Sequence, residues 1–229
     1  MKIGILQTGH APAELIDRTG DNSDFFQRLL TGQGFSFETF DVVDMAFPTS
    51  VTDCDGWLLT GSKHGAYEDL PFIAPLEDFI RMAYAQAVPM VGICFGHQII
   101  AQALGGRVEK FTGGWAVGRQ TYTLNGETVH LNAWHQDQVV ERPDGATVCG
   151  SNDFCENAAL VYGDRAFTVQ PHPEFDASYI YSLIKFRGRG VVPDGLLENA
   201  TENLSKMTDN AKLAHQITEF FKQARGTAA

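Results

Sequence analysis

The stretch Val91-Gly92-Ile93-Cys94-Phe95-Gly96-His97-Gln98-Ile99-Ile100 constrains this chain more than any other. An apolar run ends in a cysteine with a glycine two residues to either side, and a helical pattern begins with no loop between. Such a junction needs a sharp strand-to-helix turn whose flanking positions have no room for side chains, the mechanics of a nucleophile elbow. The cysteine is thereby presented at the carboxyl end of a buried strand, where the positive end of the following helix favours negative charge. The Phe95 N–H points toward where an oxyanion would form.

The segments around it supply the sheet that such a turn requires. Lys2-Ile3-Gly4-Ile5-Leu6-Gln7-Thr8, closed by Gly9, reads as a strand buried on both faces. A polar loop through Gly20 follows, then a helix capped by Ser23 with Phe25, Phe26, Leu29 and Leu30 at helical spacing, ending near Gly32 and Gly34. Phe35 to Val43, Gly56 to Thr60 and Pro89 to Ile93 read as further strands, and Phe72 to Ala87 as a helix with Leu76, Phe79, Ile80 and Tyr84 on one stripe. This alternation predicts an α/β fold, a mainly parallel central sheet flanked by helices through right-handed crossovers.

From Arg107 to Gln170 the pattern changes to short alternating runs, with a hairpin signal at Asn125-Gly126, and predicts a small antiparallel region. Helix returns after Glu174, and the stripe Leu213, Ile217, Phe220 and Phe221 is expected to dock on the domain. No linker interrupts the chain, so residues 1–229 read as one domain, with a core to about 184 and a helical extension over 185–229.

Charge narrows the partners. The 17 Lys and Arg against 28 Asp and Glu leave a net charge of −11, a field that repels phosphate backbones, so neither nucleic acid nor a membrane is an expected partner. No apolar run approaches the roughly 20 residues of a membrane span, and the first residues do not form a signal peptide, which makes a cytoplasmic protein the expectation. Cys54, Cys94, Cys149 and Cys155 show no C-x-x-C spacing and read as thiols. His130 and His135 fall on opposite faces of a strand rather than forming a metal pair, and no motif implies a metal or an organic cofactor. Lys185, Arg187 and Arg189 read as a solvated loop, with contact to an acidic partner or substrate as the sharper alternative.

A nucleophilic thiolate needs a proton shuttle for the leaving group. Phe167-Thr168-Val169-Gln170-Pro171-His172-Pro173-Glu174 delivers a histidine from a strand between two prolines that fix the backbone, with a carboxylate two residues on to hold one tautomer. Cys94, His172 and Glu174 are therefore the candidate nucleophile, base and orienting group. His97 reads as a packing residue of the helix.

The two segments, 78 residues apart from Cys94 to His172, together resemble the paired signature of class I, triad-type glutamine amidotransferases. Leu59-Thr60-Gly61-Ser62-Lys63-His64-Gly65-Ala66-Tyr67-Glu68 resembles the oxyanion loop of the GMP synthase-like, stand-alone branch, which is related to γ-glutamyl peptidases. Ala133-Trp134-His135-Gln136-Asp137-Gln138-Val139 resembles the family's H-x-D-x-V loop.

The resemblance implies a flavodoxin-like fold and a reaction in which Cys94 attacks a glutamine side-chain amide to give a γ-glutamyl thioester. It implies His172 as base and acid, Glu174 as its orienter, the N–H groups of Gly61 and Phe95 as oxyanion hole, and Gln98, His135 and Asp137 as substrate contacts. Ammonia would pass to a separate synthase in trans. Alternatives are a stand-alone hydrolase of γ-glutamyl peptides or conjugates and, from another class, a non-catalytic thiol sensor or binding protein. Lys63-His64-Gly65 departs from the small polar residues common in relatives and bears on which leaving group is accepted. Without a P-loop or an ATP pyrophosphatase domain, GMP synthesis by the chain alone is not expected.

Overall fold

A computed structural model describes residues 1–223. The order of elements is β1 (Lys2–Leu6), α1 (Ala13–Thr19), α2 (Asn22–Leu29), β2 (Ser36–Phe40), β3 (Gly56–Leu59), α3 (Ile73–Ala85), β4 (Met90–Ile93), α4 (Phe95–Ala103) and β5 (Arg107–Lys110). There follow β6 (Ala116–Leu124), β7 (Glu127–His135), β8 (Asp137–Glu141), β9 (Thr147–Ser151), β10 (Ala159–Tyr162), β11 (Ala166–Val169), α5 (Ala177–Leu183), α6 (Asp194–Glu202) and α7 (Asn210–Gln223).

The main sheet runs β2-β1-β3-β4-β11-β10-β9-β6-β7, and β5 pairs with β8 in a small second sheet. From β2 to β11 neighbours are parallel; from β11 to β7 they are antiparallel. The expected α/β architecture is present, and β4 lies in its interior, next to the central strand β11. The parallel half follows from its sequence: every residue of β3 and β4 is buried, which only a strand covered on both faces tolerates. Successive side chains alternate between two cores. Trp57 and Leu59 face a cluster with Leu76, Phe79 and Ile80 of α3, whereas Leu58, Val91, Ile3 and Ile5 face Phe26 of α2 and Leu213, Ile217 and Phe221 of α7.

The Asn125-Gly126 hairpin forms with both residues at positive φ, 50° and 80°, joining β6 to β7. Three local readings are corrected. Residues expected as loop form α1, whose seven residues bury only Leu15, so no helical periodicity betrays it. The cap of α2 is Asp21 rather than Ser23: the Asp21 carboxylate accepts the Asn22 N–H, and the Ser23 N–H donates to Gln7 Oε1 at 2.8 Å. The basic run, read as a solvated loop, instead begins in a π-helical turn, Ile184–Gly188, which holds Lys185 and Arg187 with Arg189 just beyond it; Arg187 pairs with Glu14 at 3.1 Å and Lys185 sits over the Phe186 ring. Among the described residues no helix is long and apolar enough to cross a membrane.

Candidate active site

Cys94 lies between β4 and α4 with φ 54° and ψ −104°, a positive φ that a side chain adopts at a cost of about 1–3 kcal/mol. The turn persists because its surroundings leave no alternative. Its N–H donates to the Val169 carbonyl at 2.9 Å, and the Gly96 N–H to the Thr60 carbonyl at 3.1 Å. A methyl on Gly92 would stand 2.5 Å from the Gly96 carbonyl oxygen, and one on Gly96 2.4 Å from that of Leu59, so glycine is required at both. Phe95 is the first residue of α4, and its N–H has no partner within the helix.

Strand β11 lies alongside β4 with Val169 opposite Ile93, which brings the segment after it to the same end of the sheet. The His172 N–H donates to the Asn132 carbonyl at 2.8 Å, and Asn132 Nδ2 donates to the Phe175 carbonyl at 2.9 Å, so β7 pins both ends of His172–Phe175. The imidazole stacks on the Phe175 ring at 4.0 Å and 5°. Its Nδ1 meets Glu174 Oε1 at 2.6 Å, with side-chain exposures of 4% and 2%. Burial works against a charged imidazole, but the Glu174 carboxylate and hydrogen bonding with Cys94 outweigh it and hold the His172 pKa above its ordinary value. With Nδ1 on Glu174, Nε2 is left for the sulfur.

Gly61 closes a third side. A methyl there would lie 3.0 Å from His172 Cε1 and 3.7 Å from Cys94 Cβ, and its N–H finds no acceptor among the described residues. Cys94, His172, Glu174, Gly61 and Phe95 are thus gathered at one point. Of the expected substrate contacts, Gln98 lies on α4 and His135 and Asp137 at the junction of β7 and β8. Gln98 Nε2 donates to the Asp137 carbonyl at 2.9 Å and to Gln170 Oε1 at 3.0 Å, so its amide braces the loop after β7. His135 is buried with Nδ1 3.2 Å from the same carbonyl; burial first, and the nearby His172 second, push its pKa down to about 3 and keep it neutral. Burial raises the pKa of the partly buried Asp137 carboxyl, which accepts the Tyr67 hydroxyl at 3.2 Å.

His97 is also held neutral by burial, its pKa pushed down to about 3, and its Nδ1 bonds Thr168 Oγ1 at 2.8 Å rather than approaching the thiol. Burial raises the thiol pKa of Cys54 and Cys149 to about 11 and of Cys155 to about 12, which makes them poor nucleophiles. Lys63 is exposed, and His64 faces Glu68 at 3.5 Å. Among the described residues no three His, Cys, Asp or Glu side chains group to hold a metal ion.

Sequence reasoning missed Asn132, Phe175 and Tyr67. Asn132 is one of several polar residues in β7, and Tyr67 lies in the segment after Gly61; neither carried a spacing that announced its contact. Chemically, a thiol backed by an imidazole–carboxylate pair, with two backbone N–H groups beside it, is equipped for acyl transfer.

The glutamine amidotransferase class-I family model matches residues 21–182. A glutamine amidotransferase-like protein of Schizosaccharomyces pombe is 30% identical, the match covering 95% of this chain and 97% of the relative. Gamma-glutamyl peptidase 3 of Arabidopsis thaliana is 27% identical over 75% of this chain and 76% of its own. The crystal structure of a glutamine amidotransferase from Methylobacillus flagellatus superposes with a TM-score of 0.76 at 21% identity, covering 97% of this chain and 94% of that one.

Proposed function

The chain belongs to the class I glutamine amidotransferase family, and on that premise we propose that it hydrolyses the side-chain amide of glutamine or of a related γ-glutamyl compound through Cys94, His172 and Glu174. The convergence of the His172 ring and the Gly61 backbone on Cys94 carries this reading. The Cys94 sulfur attacks the amide carbon while His172 holds the thiol proton. The N–H groups of Gly61 and Phe95 receive the developing oxyanion, where one donor is worth about 2.7–4 kcal/mol. Collapse breaks the C–N bond, the His172 proton leaves with the nitrogen, and a γ-glutamyl thioester remains. Water, deprotonated by His172, then cleaves the thioester to glutamate and restores the thiol.

Glu174 keeps the imidazole in one orientation through both halves. Gln98 is taken to help hold the glutamyl substrate, and the loop of His135 and Asp137 to receive its α-amino and α-carboxylate groups, with the Asp137 carboxylate suited to the ammonium. The likeness to a γ-glutamyl peptidase supports peptides and conjugates as substrates beside glutamine. Delivery of ammonia to a synthase in trans is the second reading, supported by the family match.

Glutamate release from glutamine and from a panel of γ-glutamyl peptides including glutathione tests both, with Cys94→Ala as blank. Cys94-dependent turnover is expected, with the variant inert and its circular dichroism unchanged. Rapid cleavage of one peptide identifies a stand-alone hydrolase; slow turnover confined to glutamine favours the synthase-coupled reading. Activity retained by Cys94→Ala would overturn the nucleophile assignment.

A further inference from the structure

The oxyanion-loop amide of Gly61 acts only if it is aimed, and what aims it lies on the neighbouring strand. Strands β1 and β3 run parallel with Leu6 opposite Leu59, so extending the register sets Thr8 beside Gly61. Thr8 and Thr60 are both fully buried, and their hydroxyls lie among the carbonyls of this loop. The Thr8 N–H donates to Thr60 Oγ1 at 3.0 Å, Thr60 Oγ1 donates to the Gly61 carbonyl at 3.0 Å, and Thr8 Oγ1 donates to the Thr60 carbonyl at 2.9 Å. Each hydroxyl has one proton; Thr8 Oγ1 also lies 3.2 Å from the Gly61 carbonyl, and the arrangement given takes its shorter contact, to the Thr60 carbonyl.

The consequence lies in the peptide joining Thr60 to Gly61. It is trans, so its C=O and N–H point in opposite directions. The carbonyl is drawn inward by Thr8 Oγ1 and by the Gly96 N–H at 3.1 Å. The N–H of Gly61 is therefore turned outward, on the residue whose Cα faces His172 and Cys94. Asn22 adds a second brace, its Nδ2 donating to the Gly9 carbonyl at 2.7 Å and reaching that of Gly61 at 3.4 Å. Gly9 lets this close approach occur, since a methyl on it would stand 2.8 Å from Ser62 Oγ.

We infer that Thr8 is a positioning residue of the oxyanion hole, its hydroxyl holding the Thr60–Gly61 peptide so that the Gly61 N–H is preset for the tetrahedral intermediate. The inference rests on the proposed function and extends it to a residue remote in sequence from the nucleophile.

Thr8→Val keeps the shape and deletes the donor. Its kcat on a γ-glutamyl anilide is expected to fall roughly tenfold with KM nearly constant, part of the 10²–10³ lost when such a donor is removed outright. Thr8→Ser is expected to restore it. A readout independent of substrate identity is the rate of Cys94 modification, followed by mass spectrometry, with two small reagents. Chloroacetone places a ketone oxygen in the hole, whereas methyl methanethiosulfonate carries no carbonyl.

Thr8→Val should slow the first and leave the second unchanged. Equal loss with both reagents, or an unchanged ratio, would overturn the inference. Should Thr8→Val fail to fold, Thr8→Ala provides the same ratio, with the same drop expected and no drop counting against the proposal. A wild-type enzyme inert on every γ-glutamyl amide would sink the proposed function, while the reagent ratio would still decide the role of Thr8.

Discussion

At the scale of single residues the site depends on one charge pair. Glu174 takes His172 Nδ1 with Oε1, and its Oε2 is buried without a partner among the described residues, so the carboxylate is held for the imidazole alone. Glu174→Gln keeps the shape but lets an amide N–H face the ring and disfavour the productive tautomer; kcat is expected to fall by roughly 10²–10⁴-fold. The same pair predicts a pH dependence of stability. A histidine whose folded pKa lies above its unfolded value of about 6.5 binds its proton more tightly when folded. The resulting stabilisation is complete below that unfolded value and is lost as pH rises through the raised one. Wild type should therefore lose more Tm from pH 7 to pH 9 than Glu174→Gln does, a comparison that thermal scans at several pH values can make. Equal losses would show that Glu174 does not raise the His172 pKa.

These residues were legible because their relations are short or motif-borne: the cysteine between its glycines, the histidine between its prolines, the carboxylate two places on. Asn132, which fixes the His172 backbone from a strand 40 residues earlier, was not legible. No periodicity encodes a bridge between β7 and the segment after β11. Thr8 escaped for the same reason, since its partner hydroxyl lies 52 residues away.

Among the elements, the elbow between β4 and α4 shows how closely backbone must approach backbone. Gly96 sits against β3, and the atom that a methyl would strike, the Leu59 carbonyl oxygen at 2.4 Å, belongs to a buried strand that cannot yield cheaply. Gly96→Ala is expected to cost about 1–3 kcal/mol, seen as a lower urea midpoint at an unchanged slope. It should also displace Thr60 and Gly61 at the end of β3, so activity should fall further than stability. A variant as active as wild type would mean that the elbow relaxes without moving Thr60 and Gly61. The strands β3 and β4 could be read from unbroken apolar runs and α3 from its stripe. Helix α1 could not, because it is short and largely exposed, and tertiary position rather than pattern makes it helical.

Across the whole molecule, the proposed reacting groups come from the junction of a parallel and an antiparallel half, and α7 braces that junction. At its start the Asp209 N–H donates to the His130 carbonyl and the His130 N–H to Asp209 Oδ2, both at 2.7 Å, clipping the helix to β7 at one sheet edge. At its other end Phe221, fully buried, meets Phe35 beyond α2 with ring centroids 5.9 Å apart and lies over Gly56 of β3, where a methyl would touch its ring at 2.9 Å. Leu213 and Ile217 between them fill the face under β1, β4 and β11. The amphipathic stripe read from the sequence is thus core, although which strands it crosses could not be read there.

Phe221→Ala removes the far anchor and is expected to cost about 3–5 kcal/mol, a large share of the roughly 5–15 kcal/mol that holds a domain folded. Because the helix joins both halves, urea should then remove secondary structure, near-ultraviolet dichroism and glutamate release in one shifted transition. If α7 instead detached first, activity would survive an early partial loss of helix signal, and the two halves would be held together by the sheet alone.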